Sequence, residues 1–305
     1  MLRRSCTARF VIAVGILASL LARPAHAADA APDPPPQLAP ESGRLLAMAG
    51  VTQIEGAGGG GLVPWALITG YGTRDAVGGN AHYTFVHTGD FDLHSAGAAI
   101  GLYDRVEVSF ARQWFDTRAV GGKLGLDKNH SFDQNTVGLK VRLFGDAVYE
   151  QESWLPQVAV GAQYKSNNRS KLLSAIGAKS SDGVDFYVSA TKLFLVESLL
   201  LNATVRATKA NQFGLLGFGG DRYGGYSAQF EGSAAYLISR NVAVGGEVRT
   251  KPDNLGFARE DNAWDLFAAW FVNKNLSATL AYVQLGRIAG QHDQNGVYLS
   301  MQAGF

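Results

Sequence analysis

The feature that most constrains this chain is a period of two in its apolar residues. In the segment 297–305 an apolar residue occupies every odd position, and polar residues or glycine fill the positions between. Such alternation gives a β-strand one apolar and one polar face. The longest apolar run, 10–21, has 12 residues, whereas a membrane-spanning helix needs about 20. The alternation therefore predicts β-strands, and the short run excludes a helical membrane protein.

Composition narrows the choice between kinds of β protein. Charged residues make up 17% of the chain, compared with about 25% in an ordinary soluble domain, and 37 of its 305 residues are glycine. A low charge content favours a transmembrane β-barrel, which faces lipid with its outer surface. A secreted or periplasmic β-sandwich would show the same alternation and is the structural alternative.

The first 27 residues carry the marks of export. Three arginines precede the apolar run, and a small-x-small cleavage site ends at Ala27, so residues 1–27 are predicted to be a secretory signal peptide. Their removal takes away four of the 27 basic residues and none of the 26 acidic ones, which leaves a formal charge of −3. Nucleic-acid binding then has no electrostatic support. The only cysteine, Cys6, is lost with the signal peptide, so no disulfide is expected.

The remaining chain divides into a tether and a barrel. Residues 28–42 are rich in proline and lack apolar periodicity, which predicts a disordered tether, and the barrel is predicted to span residues 74–305. Strands are expected at 79–87, 91–101, 105–115, 133–144, 155–165, 183–193, 199–209, 227–238, 241–251, 263–272, 275–285 and 296–305. Short and long connections alternate along this order, except at 145–154 and 88–90. This alternation predicts an all-β, antiparallel up-and-down transmembrane barrel of 12–14 strands.

The segment 43–73 has two interpretations. Its parts 45–54 and 65–71 have strand-like composition and flank the glycine-rich run 56–61, so they would form a hairpin that completes a barrel of 14 strands. Alternatively, the glycines allow the segment to fold inside the lumen as a plug, where little space is left for side chains.

Charged residues lie on the polar face of the predicted strands. In a membrane barrel this face is directed toward the lumen. The expected lumen-lining residues are Glu107, Lys140, Arg142, Lys165, Asp185, Arg206, Glu231, Glu247, Arg249 and Asp265. Because both signs are present, these side chains either line a pore with a transverse field or form salt bridges that brace and close the interior.

An enzymatic barrel is a further possibility, since some outer-membrane barrels hydrolyse lipids with a His-x-Ser pair on one face of a strand. This sequence contains no His-x-Ser. His94 and His130 are each followed directly by serine, which points the two side chains to opposite faces of a strand. His82 is followed two residues later by Thr84, a poor nucleophile. No enzyme activity, catalytic residue, metal site or cofactor is therefore expected.

Four short blocks distinguish the N-terminal part of the predicted mature chain. They are GRLLA at 43–47, GVTQIEG at 50–56, PWA at 64–66 and GYGT at 70–73. In these blocks the chain resembles a family of Gram-negative outer-membrane β-barrel proteins described only as a domain of unknown function, family 3034. The resemblance extends from residue 43 to the C-terminus. It implies a barrel in the outer membrane and brings no substrate or catalytic residue.

The last strand and the location suggest partners. The strand ends in Phe305, and with Tyr298 it resembles the signal that the outer-membrane assembly machinery recognises. We expect contacts with that machinery, with outer-membrane lipid and with lipopolysaccharide. The leading hypothesis is a porin-like channel or exporter for small solutes. The alternative is a closed structural or accessory barrel that anchors a partner of a surface-polymer or secretion assembly, and the third hypothesis is a lipid-modifying hydrolase.

Overall fold

The computed structural model describes residues 44–48, 50–123 and 130–305. The predicted signal peptide, 1–27, and the predicted tether, 28–42, lie outside the described residues. In the described part of the chain, no helix has the length and apolar content that a membrane crossing requires.

The described residues form a closed barrel of twelve antiparallel strands, in which each strand pairs with its neighbours in sequence and the last returns to the first. The strands are β1 Val77–Thr88, β2 Asp92–Leu102, β3 Val106–Asp116, β4 Ser131–Phe144, β5 Gln157–Asn167, β6 Asp182–Phe194, β7 Leu199–Thr208, β8 Ser227–Leu237, β9 Val242–Arg249, β10 Ala263–Asn273, β11 Leu276–Gln284 and β12 Asn295–Gly304. Every predicted strand agrees with an observed one to within two residues at each end. The predicted antiparallel barrel is confirmed, and the sandwich alternative is wrong.

The two ends of the barrel differ in their connections. Most connections at one end, the turn end, have two to four residues, whereas most at the other, the loop end, are much longer. The exceptions are the long connection 145–156 at the turn end and the short connection 89–91 at the loop end, as the sequence indicates. Two short helices, α1 (Arg118–Lys123) and α2 (Ser170–Ala175), and the 3-10 turn Asn211–Gly214 belong to the loop end.

The outer surface of the wall is apolar. Its exposed large side chains include Val108, Phe110, Leu139, Val205, Phe230, Leu266, Leu280 and Leu299. Residues between these positions point inward, and most of them are polar and buried. An apolar outer surface around a polar interior is the arrangement of a transmembrane barrel, opposite to that of a soluble one.

The N-terminal segment contributes no strand to the wall, so the hairpin and the barrel of 14 strands are wrong. Residues 50–71 instead lie among the inward side chains of the wall, and all except Val51 and Gly61 are buried. We call this segment the plug. It folds back on itself through bridges from Thr52 to Gly58 and from Gly59 to Pro64.

Glycine is required where the plug approaches the wall. A Cβ atom added at Gly60 would lie 1.9 Å from Oε1 of Glu247, and one added at Gly59 would lie 2.3 Å from the carbonyl oxygen of Val63. Both contacts are far shorter than a real Cβ permits. The glycine-rich run therefore allows the plug to turn tightly inside the barrel, as the plug interpretation of the sequence supposes.

Candidate functional site: the plugged interior of the barrel

All ten charged residues expected to line the lumen point into the barrel, and each is buried, with at most 7% of its surface exposed. They are Glu107, Lys140, Arg142, Lys165, Asp185, Arg206, Glu231, Glu247, Arg249 and Asp265. A water-filled lumen would leave such side chains solvated. In this structure they contact the plug, the start of the described chain or one another, so the interior is closed.

The first contact with the plug is made by a wall ion pair that is neutral by itself. Nζ of Lys140 lies 3.0 Å from Oε2 of Glu107. The Glu107 carboxylate accepts hydrogen bonds from the backbone N–H of Gly58 and of Thr69, each at 2.9 Å. Lys140 donates to the carbonyls of Gly58 and Leu67, each at 2.8 Å. The pair thus ties the outgoing and returning arms of the plug together through their backbone.

The second contact is formed by a carboxylate that the plug itself carries. Glu55 accepts hydrogen bonds from Nζ of Lys165 at 2.5 Å and from both terminal nitrogens of Arg249 at 2.9 and 3.2 Å. Arg206 lies 4.0 Å away. Burial by itself would raise the pKa of the Glu55 carboxyl, but the charges of Arg249, Lys165 and Arg206 outweigh this effect and hold that pKa below its usual value.

Two wall acids share these cations with Glu55. Asp185 lies 2.7 Å from Nζ of Lys165, and Glu231 lies 2.5 Å from Nε of Arg206 and 3.2 Å from Nε of Arg249. Three cations therefore face two acids on the wall. Glu55 supplies the third negative charge.

A third charged contact involves Glu247. Its carboxylate accepts hydrogen bonds from the N–H of Leu62 at 2.6 Å and from the hydroxyl of Ser233 at 2.7 Å. The same hydroxyl accepts from the indole N–H of Trp65 at 2.9 Å. Asp265 pairs with Glu247 in the β9–β10 register. The wall thus places two neighbouring acids against the turn of the plug.

Neutral hydrogen bonds complete the attachment. The carbonyl oxygen of Pro64 accepts from the side chains of Thr204 at 2.9 Å, Ser189 at 3.2 Å and Asn202 at 3.4 Å. These wall residues could not be identified from the sequence, because the group they bind is a backbone carbonyl, which leaves no side-chain pattern.

Arg142 has a different role from the other nine residues. It contacts Asp104 in the β2–β3 turn, and Arg44 at the start of the described chain contacts the same carboxylate. Asp146 lies 3.4 Å from Arg142. These contacts fix the chain at the turn end, directly before the plug begins.

The structure brings together one serine and one histidine. Nε2 of His82 lies 3.2 Å from Oγ of Ser95, a pairing between β1 and β2 rather than within one strand. The Ser95 hydroxyl also donates to the carbonyl of Ile54 at 2.7 Å, and Nδ1 of His82 lies 2.9 Å from the hydroxyl of Thr52, so residues of the plug cover both side chains. Both side chains are buried beneath the plug, and His94 points outward, where its Nδ1 lies 2.7 Å from the hydroxyl of Tyr83.

A loop closes the same interior from the loop end. Gln212 and Phe213 both have left-handed backbone angles, with φ of 45° and 61°, which turn the chain into the barrel. The carbonyl of Phe213 accepts from Nζ of Lys165 at 3.2 Å, and its ring centre lies 4.2 Å from the guanidinium carbon of Arg249. The loop and the plug therefore meet at the same cations.

The two residues of the predicted assembly signal point in opposite directions. Tyr298 is inward and buried, whereas Phe305 is outward and about half exposed. The carbonyl of Phe305 accepts from the N–H of Tyr71 at 2.9 Å and of Gly79 at 3.0 Å. The last residue of the chain therefore holds the end of the plug, and its role in assembly stays a prediction.

A family model described as "Protein of unknown function (DUF3034)" matches residues 48–302. The match covers most of the chain, which therefore belongs to this family. No curated protein is significantly similar in sequence.

Several solved structures are similar in fold. A KdgM porin in complex with disordered oligogalacturonate has 9% identity and a TM-score of 0.44, over 74% of this chain and 96% of that chain. Outer membrane phospholipase A from Escherichia coli has 11% identity and a TM-score of 0.44, over 77% and 94%. An outer membrane channel from Pseudomonas putida F1 has 12% identity and a TM-score of 0.45, over 79% and 96%. At these values the likeness says nothing about a substrate or an activity.

Proposed function

We propose that this chain, a member of that family, is a channel of the outer membrane for small polar solutes that its own plug closes at rest. The observation that carries the proposal is the position of the ten inward charges. They form a polar wall suited to water, yet each of them is buried by the plug, the loops or its neighbours.

The charged inward side chains of the wall support an interior that fills with water when the channel opens. A buried ion pair seldom stabilises a protein more than well-packed apolar residues of the same size would. A barrel that stayed closed permanently could be filled by apolar residues instead of ten inward charges. An opened barrel needs them, because a polar lining keeps a lumen hydrated. Twelve strands give a backbone diameter of roughly 24 Å, which leaves room for a small solute once the plug has moved.

The attachment of the plug also supports reversible closure. Its polar contacts are hydrogen bonds and ion pairs, which water can replace one by one, while Ile54, Leu62 and Trp65 also pack in the apolar core. The chain reaches the plug from the turn end, where Arg44 is held, so the plug can withdraw in that direction without crossing the wall.

A closed accessory barrel is the second candidate, and one observation favours it. The interior is filled from both ends, since Phe213, Leu215 and Leu216 of the loop between β7 and β8 are buried above the plug. In a purely structural barrel neither closure would open. A hydrolase is disfavoured because Ser95 and His82 are both buried beneath the plug, where a lipid substrate does not reach them.

Removal of residues 50–71 tests the channel directly. In planar bilayers we expect the wild-type protein to be mostly silent and the deletion variant to give stepwise conductance in potassium chloride. Resistance of the folded barrel to unfolding in detergent gels identifies correctly folded samples. A folded deletion variant without conductance would exclude the channel and leave the accessory barrel.

A peptide supplies the matched control. A synthetic peptide of residues 44–72, added to the turn side of the deletion variant, should close the conductance, whereas a scrambled peptide of the same composition should not. Equal block by both peptides would show that closure does not depend on the contacts described above.

A further inference from the structure

We propose that Lys165, Arg206 and Arg249 form a binding site for the carboxylate group of a solute, and that Glu55 occupies this site at rest as an internal competitor. The proposal rests on the proposed function and names its substrate class: small carboxylates. We call these three residues the cation cluster.

The contacts made by Glu55 have the geometry of carboxylate recognition. Arg249 donates from two nitrogens to the two oxygens of Glu55, at 2.9 and 3.2 Å, and Lys165 adds a third bond at 2.5 Å. A planar guanidinium fits a carboxylate in this paired manner, which adds geometric specificity to the attraction of charge. The wall therefore presents the paired and charged donors that a carboxylate accepts.

The cation cluster is held in place independently of Glu55. Arg206 donates to Glu231 at 2.5 and 3.2 Å, and its guanidinium carbon lies 5.1 Å from the ring centre of Tyr187. Glu231 also lies 3.2 Å from Arg249. These contacts come from the wall, so the positively charged groups keep their orientation when the plug leaves.

Charge balance gives the second argument. Among the described residues within ion-pair distance, the wall supplies three cations and only two acids, Asp185 and Glu231. Withdrawal of Glu55 leaves one positive charge uncompensated in a confined space. A monocarboxylate restores the balance, whereas a neutral solute does not.

An unused donor lies at the same place. Gln163 is fully buried, and its Oε1 accepts from Arg206 at 2.7 Å. Its amide Nε2 has no hydrogen-bond partner among the described residues. This N–H group, next to the cation cluster, is available to a polar group attached to the bound carboxylate.

Glu55→Ala in the full-length chain tests the site without any need for conductance. The substitution removes four heavy atoms, which are those of an acetate ion. Hydrogen exchange of residues 50–71 should accelerate in this variant, and acetate should slow it again. Acetamide, which has the same shape without the charge, and chloride at equal ionic strength should have little effect. Absence of rescue, or equal rescue by acetamide or chloride, would overturn the proposal.

Two lysine variants in the Glu55→Ala chain test where acetate binds when it slows hydrogen exchange. Lys165→Gln removes a member of the cation cluster and should weaken acetate rescue by about tenfold or more, the size expected for a charged hydrogen bond. Lys192→Gln is the matched control, because Lys192 is also buried but donates to carbonyls of residues 146, 150 and 155 at the turn end. Equal loss of rescue in both would overturn the assignment of the site.

Solute flux separates this proposal from the channel itself. Liposomes that contain the Glu55→Ala protein should swell faster in glucuronate than the same liposomes do in glucose. Equal swelling rates would overturn carboxylates as the substrate class and leave the channel intact. Failure of the plug deletion to conduct would overturn the channel, while acetate rescue would still report on the site.

Discussion

The barrel holds its plug at two charged sites that are built in different ways. At the first, Glu107 and Lys140 both belong to the wall, neutralise each other and bind only backbone groups of the plug. At the second, the wall has an excess of positive charge and the plug supplies the missing carboxylate, Glu55. Departure of the plug leaves the first site balanced and the second one unbalanced.

This difference separates attachment of the plug, at the first site, from recognition of a negatively charged group, at the second. The Glu107–Lys140 pair serves any segment with suitably placed N–H and carbonyl groups, and it makes no demand on a solute. The cation cluster requires a negative charge. We therefore expect substitutions at the first site to change how firmly the interior is closed, and substitutions at the second to change also what the interior binds.

The largest effect is expected from Lys140→Met. Glu107 has no other basic group within ion-pair distance among the described residues, so the substitution leaves a buried carboxylate uncompensated. Loss of one partner of a buried pair typically costs about 3–5 kcal/mol. We expect the free energy of unfolding to fall by this amount, measured by denaturant titration in detergent.

Two variants sharpen this result. Lys140→Met combined with Glu107→Gln removes both charges and should recover much of the stability, since no buried charge is then left alone. Lys165→Met should cost less than Lys140→Met, because Glu55 keeps Arg249 and Asp185 keeps Arg206, 3.6 Å away. If the double variant were as unstable as the sum of its single variants, the two wall residues would not depend on each other.

Substitution of Glu55 is expected to have an intermediate effect on the free energy of plug attachment, and this effect depends on pH. Glu55→Gln removes charged hydrogen bonds, worth about 1.5–3 kcal/mol in plug attachment. Burial raises the pKa of Glu55, but Arg249, Lys165 and Arg206 outweigh it, so the folded pKa lies below the ordinary value of 4.5. Asp185 and Glu231 face the same cations. The stabilisation is therefore fully present above this ordinary value and is lost as the pH falls through the lower folded pKa.

The pH dependence of hydrogen exchange in the plug distinguishes the contribution of Glu55 from that of other acids. Hydrogen exchange of the plug should differ between wild type and Glu55→Gln by a constant amount at pH 6 and 7, and the difference should shrink progressively below about pH 4. Asp185 and Glu231 share the cations with Glu55, so the pH range in which the difference shrinks, rather than its size, is the signature of Glu55. A difference that grew as the pH fell would contradict the ion pairing of Glu55 with the cation cluster.

The wall was predictable from sequence because its rule is local. A period of two assigns each residue to the lipid or to the interior, so the strands and the inward charges could be read from neighbouring positions. The same rule places Phe271 inward, between the outward residues Trp270 and Val272, and only 2% of its surface is exposed.

The site within the wall was not predictable, because its partners are distant in sequence. Glu55 lies 110 residues from Lys165 and 194 from Arg249, and only closure of the barrel brings them together. His82 and Ser95 are 13 residues apart and meet through the register of two strands. Contacts to backbone groups, such as those at Pro64, leave no trace in residue types at all.

The smallest effect is expected at the neutral contacts. Ser189→Ala removes one of three side-chain donors to the Pro64 carbonyl and the 2.8 Å hydrogen bond to Thr204, while Thr204 and Asn202 still donate to the carbonyl. Because the carbonyl and the Thr204 hydroxyl both keep partners, the loss should not exceed about 1.5 kcal/mol, the upper value for a neutral hydrogen bond. Denaturant titration measures it, and the selectivity for glucuronate over glucose should not change. A loss as large as that of Glu55→Gln would mean that shape and neutral bonds, rather than charge, hold the plug in the barrel.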